Sequence, residues 1–262
     1  MHATDLSPAQ NDAPLNEQEA LAELRPIVAL WLQSMADGLD HPDIWAKLRD
    51  SSQAHAPVLV LLSMVLQDFA PHLRGSQQLG ALVLGQVIRF LAGEQGPAIE
   101  RLEQIMSRHS QSPLVQGALF FCQGQRNPND PRYSLRGKIC PVPFLELDVL
   151  DGSCHLCCAS WLPTSVGNVF DAPWQEVWNS PEAQDIRNSV IEGSFRHCNK
   201  ITCPVIQNNE LIAVDDSRLR QPALRLEGSY EFLGVKDQAL PTAPIWLTPV
   251  REQAPAVLNL SY

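Results

Sequence analysis

The chain has 262 residues, a formal net charge of -10 at pH 7 and a hydrophobic content of 45%. This length is enough to bury two small cores, so we expect two domains. The acidic balance argues against nucleic acid or an anionic membrane as the main partner, because both require clustered lysine and arginine. No uncharged apolar run reaches the length of about 18 residues that a membrane-spanning helix needs.

The N-terminal residues 1–18 are polar and acidic, and they contain proline. A secretory signal needs a basic start and an apolar centre, and this segment has neither. We therefore expect a disordered lead-in and a cytoplasmic protein. Cysteines stay reduced in that compartment, so a group of them indicates a metal site or a catalytic site rather than disulfides.

Residues 19–124 predict a helical domain, because apolar residues recur at three- and four-residue spacings from Ala20 to Gln123. Glycine and proline breaks divide the segment into roughly six helices. The breaks are Gly38, Pro42, Pro57, Pro71, Gly75, Gly96 and Pro113.

The last three predicted helices run near 77–92, 97–110 and 113–123. Gly85 lies in the first of them, and Ala98, Leu102 and Ile105 share one face of the second. The arrangement resembles a degenerate tetratricopeptide repeat, a helix pair in which small residues allow close approach. A generic helical bundle is the alternative. Residues 125–138 contain two prolines and several basic residues and predict an inter-domain linker.

Six of the seven cysteines lie between Cys140 and Cys203. Thiolates that converge from separate chain segments are typical of a soft, multi-thiolate metal centre. The apolar run from Phe144 to Leu150, the turn signal Asp151-Gly152 and a return strand from Ser153 to Ala159 predict a β-hairpin here.

Strict alternation along the return strand would place Cys157 on the face of Ser153 and His155, and Cys158 on the opposite face with Cys154. Cys157 and Cys158 could not then both bind one metal site.

The residues after the hairpin predict a second turn, two helices and an apolar layer. The turn is Gly167-Asn168, and a short helix is expected from Trp174 to Trp178. Ser180 as N-cap and Gly193 as terminator delimit a longer helix from Pro181 to Glu192. The expected apolar layer over the metal centre consists of Trp161, Phe170, Trp174, Val177 and Trp178.

Residues 138–206 resemble the SPASM/twitch domain, the auxiliary iron-sulfur module of radical S-adenosylmethionine enzymes. The resemblance is carried by DGSCHLCC, VGNVF, WQEVWNSPEAQDIRNSVIEGS and the closing pair Cys198 and Cys203. It implies that Cys140, Cys157, Cys198 and Cys203 ligate one [4Fe-4S] cluster, with Cys154 and Cys158 less favoured. The last pair is separated by four residues where many members have two, and too few cysteines remain for a second cluster.

Other uses of these side chains remain open. Four cysteines, including the CxxC of Cys154 and Cys157, could hold Zn²⁺. A redox pair at the same CxxC is less favoured, because that chemistry uses a helix N-terminus to lower the thiol pKa. Cys122 follows two phenylalanines and is expected to be a buried apolar residue. His155 and His197 are expected beside the ligands or in solvent rather than on the metal.

The CxxxCxxC motif that binds the catalytic cluster of the radical enzymes does not occur in this sequence. We therefore expect an α then α+β protein: a helical bundle followed by a hairpin-and-helix iron-sulfur module at 139–210. It would not be catalytic alone and would serve a radical S-adenosylmethionine domain or protein that acts on a peptide or carbohydrate substrate.

Residues 211–262 predict an extended segment whose end, 258–262, resembles the first barrel strand of radical S-adenosylmethionine proteins. The chain could then be the N-terminal part of a longer enzyme. The functional alternative is a zinc-stapled helical module for protein interaction.

Overall fold

The fold was analysed in a computed structural model, which describes residues 27, 29–214, 249–251 and 254–261. Helices occupy the first half of the described chain, and a small sheet with three further helices follows. This order confirms the predicted fold class. The predicted lead-in at 1–18 and most of the extended segment 211–262 lie outside the described residues.

The helical half contains α1 to α5, with a 3-10 turn at Ala70–His72 after α2. Their bounds are α1 at residues 29–37, α2 Pro42–Phe69, α3 Gly75–Leu91, α4 Gln95–Met106 and α5 Pro113–Arg126. The predicted break at Pro57 is wrong, because α2 continues through this position. The apolar residues of α2 pack along α3, and this packing outweighs the backbone hydrogen bond that proline cannot donate.

The core of the helical half lies around α3, which packs between α2 and α4. Ala98, Leu102 and Ile105 are buried on one face of α4, as the spacing predicted. The side chain of Ser112 caps α5 by accepting the backbone N–H of Val115. Whether these helix pairs are tetratricopeptide repeats stays a prediction.

The segment predicted as a linker packs against both halves. Tyr133 lies on the ring of Phe120 in α5, with ring centroids 4.9 Å apart. Its end forms β1 (Lys138–Ile139), which pairs antiparallel with β5 (Ile212–Ala213). Leu135, in the same segment, is buried.

The predicted hairpin is formed by β2 (Glu146–Leu150) and β3 (Ser153–His155). Asp151 and Gly152 both have positive φ, 49° and 84°, as a two-residue type I′ turn requires. The strands are shorter than predicted. The residues Val142–Phe144 form a 3-10 turn before β2, and the chain leaves β3 after His155.

The sheet has the strand order β4-β3-β2-β6. Gly167–Asn168 was predicted as a turn but forms β4, because Gly167 pairs with Cys154 across the sheet. The C-terminal strand β6 (Val257–Ser261) lies parallel to β2 and leaves Leu258 and Leu260 exposed. The strand-like alternation predicted at 258–262 is confirmed for the described residues.

Three helices complete this half: α6 (Trp174–Trp178), α7 (Pro181–Ile191) and α8 (Pro204–Gln207). The two predicted helices match α6 and α7, and Ser180 caps α7 by accepting the backbone N–H of Ala183. The predicted apolar layer is only partly present. Trp178 and Val177 are buried, whereas Trp174 is exposed because α6 is a single turn that buries only one face. Phe170 lies in the segment before α6 and is also exposed.

None of the helices in the described ranges is long and apolar enough to cross a membrane.

Candidate metal centre

Three chain segments supply the four cysteines that the resemblance implied as ligands. Cys140 follows β1, and Cys157 follows β3. Cys198 follows α7, and Cys203 is the residue from which α8 begins. Cys198 and Cys203 are buried in the core of the second half, and the other two pack against that same core.

The pKa values of these four thiols are raised by burial, and in three of them also by negative charge on other thiols of the set. Burial raises the pKa of Cys140 well above its ordinary value, and the charges of Cys203 and Cys198 raise it further. Burial also raises the pKa of Cys157, and Cys140 and Cys203 add to the effect. The pKa of Cys198 rises to about 12 through burial and the charge of Cys203, which Lys200 partly opposes. A negative charge on one of these sulfurs therefore raises the free-energy cost of deprotonating another.

A multi-thiolate metal centre relieves this cost. Each of the four thiols must lose its proton to bind a metal, and a cation among them compensates the charge that burial would otherwise disfavour. Four thiols from three segments, packed in or against one core, thus fit the donor requirement of a [4Fe-4S] cluster.

The other cysteines differ in their surroundings. Cys154 is fully buried in the hairpin, and its thiol lies 3.7 Å from the carbonyl oxygen of Gly152. Cys158 is half-buried, and its charge raises the pKa of Cys203, so it lies near the group. Cys122 is fully buried in α5, where desolvation strongly raises its pKa, as predicted for an apolar role.

The alternation predicted through Cys158 is wrong, because β3 ends at His155 and the next residues bend. Strand alternation therefore does not decide which of Cys157 and Cys158 faces the other candidate ligands. The backbone N–H groups of Trp161 and Leu162 donate to the carbonyl oxygen of Cys158 and close the bend.

All seven cysteines are free thiols. Within the described ranges, no group of three or more His, Cys, Asp or Glu side chains is arranged so that it could hold a metal ion. One zinc ion with Zn–S bonds of about 2.3 Å requires sulfurs about 3.8 Å apart. In a [4Fe-4S] cluster each thiolate binds a different iron, and the sulfurs lie further apart.

The helical half holds the segment from Cys198 to Cys203, which we call the cluster loop. Gln116 of α5 is fully buried, and its Oε1 accepts the backbone N–H groups of Ile201 and Thr202 at 2.9 and 3.0 Å. The side chain of Ile201 packs against the cores of both halves. The position of the cluster loop is therefore fixed by α5.

A second set of bonds joins the cluster loop to the residues after Cys158. The backbone N–H of Asn199 donates to the carbonyl oxygen of Trp161 at 2.7 Å, and its Nδ2 donates to that of Ser160 at 2.8 Å. These bonds connect the segment with Cys157 to the segment with Cys198.

Charged and polar side chains surround the thiols. Glu146 on β2 is buried, accepts a hydrogen bond from Asn259 of β6 at 2.7 Å, and raises the pKa values of Cys140 and Cys157. His197 is buried and contacts Asp185 at 2.9 Å. His155 is buried too, so neither predicted histidine lies in solvent.

Residues 140–204 match the family model of SPASM, an iron-sulfur cluster-binding domain. This region is therefore a SPASM domain. The match confirms the resemblance seen in the hairpin, the two helices and the closing cysteine pair, and it begins at Cys140 itself. No curated protein and no solved structure matches the chain.

Sequence reasoning missed the polar contacts that hold the SPASM domain against the helices. Gln116 and Asp40 lie far from the cysteines in the chain, and nothing in their local pattern marks them. Lys200 offered a weak signal, since it is a lysine between two candidate ligands.

Proposed function

We propose that the SPASM domain holds one [4Fe-4S] cluster on Cys140, Cys157, Cys198 and Cys203. The observation that carries the proposal is the position of these four cysteines in or against one core, inside a region that matches an iron-sulfur cluster-binding domain. Charge on Cys140, Cys198 or Cys203 also raises the pKa of others among the four. Cys158 is the nearest substitute, because it influences Cys203.

The residues of the chain would exclude water from the cluster and fix its ligands. The core of the second half surrounds Cys198 and Cys203, and low solvent access tunes the potential of a cluster. Gln116 and Asn199 hold the cluster loop in place. When bound, a cluster of this kind supplies one-electron transfer.

We further propose an auxiliary role. Four thiolate ligands leave no iron open, and the sequence has no CxxxCxxC motif to hold a cluster with an open iron. The chain would support a radical S-adenosylmethionine domain or protein in the cytoplasm, by electron transfer or by ligating a peptide or carbohydrate substrate. The helical half, if it is tetratricopeptide-like, would dock that partner.

The auxiliary role has a direct test. Chain loaded with its cluster and reduced by dithionite is incubated with S-adenosylmethionine, and 5′-deoxyadenosine is measured. We expect none above a sample without protein. Turnover by this chain alone would contradict the auxiliary role and point to an open iron.

The metal itself is tested by anaerobic purification. A [4Fe-4S] centre gives a brown protein whose broad visible absorption bleaches with dithionite. Zinc at one ion per chain, without iron, would instead support a zinc-stapled interaction module.

A further inference from the structure

An ion pair between the two halves lies inside the protein. Lys200, in the cluster loop, pairs with Asp40, which stands between α1 and α2. The side chains of both are almost completely buried, 3% and 1% exposed. A buried pair costs desolvation of both charges, so it stabilises the protein only where each partner is well bonded.

Several residues of the helical half contact this pair. The indole N–H of Trp45 donates to Asp40 Oδ1 at 2.7 Å. Lys200 Nζ lies 6.0 Å from the centre of the Phe120 ring. At Gly117 an added Cβ would collide with the carboxylate of Asp40, so the missing side chain is what makes room for it.

The pair is close to the candidate ligands. Lys200 stands two residues after Cys198 and three before Cys203, and the backbone N–H of Asp40 donates to the carbonyl oxygen of Arg196 at 3.1 Å. Water cannot screen charges at this position, because both side chains are buried. A change in either charge would therefore be felt across the cluster loop.

We propose that Asp40 is a positioning residue that balances the charge of Lys200 and thereby sets the reduction potential of the cluster from the helical half. The inference rests on the proposed iron-sulfur function. Reduction adds an electron, so a nearby uncompensated cation favours the reduced form and raises the potential, while an uncompensated anion lowers it. With both charges present, their effects largely cancel.

The test measures the reduction potential of the cluster by anaerobic titration in the full chain. Asp40→Asn leaves the ammonium uncompensated, and the potential rises. Lys200→Met leaves the carboxylate uncompensated, and the potential falls. The double variant carries neither charge, and its potential lies between those of the single variants.

Two controls separate charge from structure. Trp45→Phe removes a hydrogen bond to Asp40 without changing a charge, so the midpoint of unfolding falls while the potential stays. Glu94→Gln removes the same charge as Asp40→Asn from a solvent-exposed pair with Arg89, and leaves the potential unchanged. A potential that moves with Trp45→Phe by as much as with Asp40→Asn overturns the proposal.

The test also has a clear outcome if a single variant folds too poorly to keep the cluster. If the single variants lose the cluster while the double variant retains it, the need for charge balance is supported. Loss of the cluster in the double variant, or single variants whose potentials do not shift or shift in the same direction, overturns the inference and leaves the proposed function intact. A wild-type chain that binds no iron contradicts the proposed function instead.

Discussion

The carboxamide oxygen of Gln116 accepts the backbone N–H of Ile201 at 2.9 Å, and this bond joins the helical half to the cluster loop. The same oxygen accepts the N–H of Thr202, and Gln116 Nε2 donates to the carbonyl oxygen of Ser110 at 2.6 Å. One side chain thus satisfies several polar groups in the contact between the halves. The helices are part of the structure that holds the ligands.

Replacement of Gln116 by leucine should destabilise the protein and weaken cluster binding. Leucine fills a similar volume but leaves the N–H of Ile201 without its acceptor, while the N–H of Thr202 retains only the carbonyl oxygen of Asn199. We expect the free energy of unfolding in urea to fall by about 1–3 kcal/mol, the cost of one lost acceptor, and the iron content to fall with it.

The matched control is Gln104→Leu, on the exposed face of α4. A surface substitution of this kind changes stability by no more than about 0.5 kcal/mol. Equal stability and equal iron content in both variants would show that the contact with α5 does not hold the cluster loop.

Removal of a ligand thiol should strip iron, whereas removal of a bystander should not. An iron that lacks its thiolate ligand is accessible to water and dissociates more easily. We expect iron per chain to fall by more than half in each of the four ligand variants. These are Cys140→Ala, Cys157→Ala, Cys198→Ala and Cys203→Ala.

Cys122→Ala and Cys154→Ala serve as controls, because both thiols are fully buried and neither is among the four proposed ligands. We expect these two variants to be less stable, because buried packing is lost, and to retain the iron content of the wild type. If Cys158→Ala strips the iron while Cys157→Ala retains it, the ligand at the bend after β3 is Cys158.

The hairpin turn depends on the backbone at Gly152. Its φ of 84° disfavours any residue with a Cβ, and alanine there should cost about 1–2 kcal/mol. The added Cβ would also meet the ring of Phe170, but that ring is 81% exposed and can move away. We therefore expect Phe170→Ala to recover little of the stability that Gly152→Ala loses in urea unfolding.

Gly85→Ala is the comparison. Gly85 lies inside α3, and an added Cβ meets nothing within 4 Å. Alanine favours the helix by about 1 kcal/mol at such a position, so this variant should be more stable than the wild type. A loss at Gly85 as large as that at Gly152 would argue against the turn geometry.

Much of the fold could be predicted where the signal was local. The pair Asp151-Gly152 fixed the hairpin turn, and Ser180 with Pro181 and Gly193 marked the ends of α7, because caps and turns depend on a few neighbouring residues. The break predicted at Pro57 is absent, since tertiary packing can outweigh the effect of a proline in a long helix.

Some residues of the candidate site could likewise be predicted from the sequence, and others could not. The cysteines could be found from their spacing in the sequence, because a metal centre requires several ligand atoms close together. Gln116 and Asp40 could not, since they meet the cluster loop only after the chain folds, with about 85 and 160 residues between partners. The position of Gly167 in a strand likewise depended on its pairing with Cys154.

Anaerobic analysis of iron and acid-labile sulfide in the purified full chain tests the central claim most directly. The account predicts about four irons and about four sulfides per chain, with little zinc, because one [4Fe-4S] cluster carries both elements in equal number. Stoichiometric zinc with neither iron nor sulfide would contradict it.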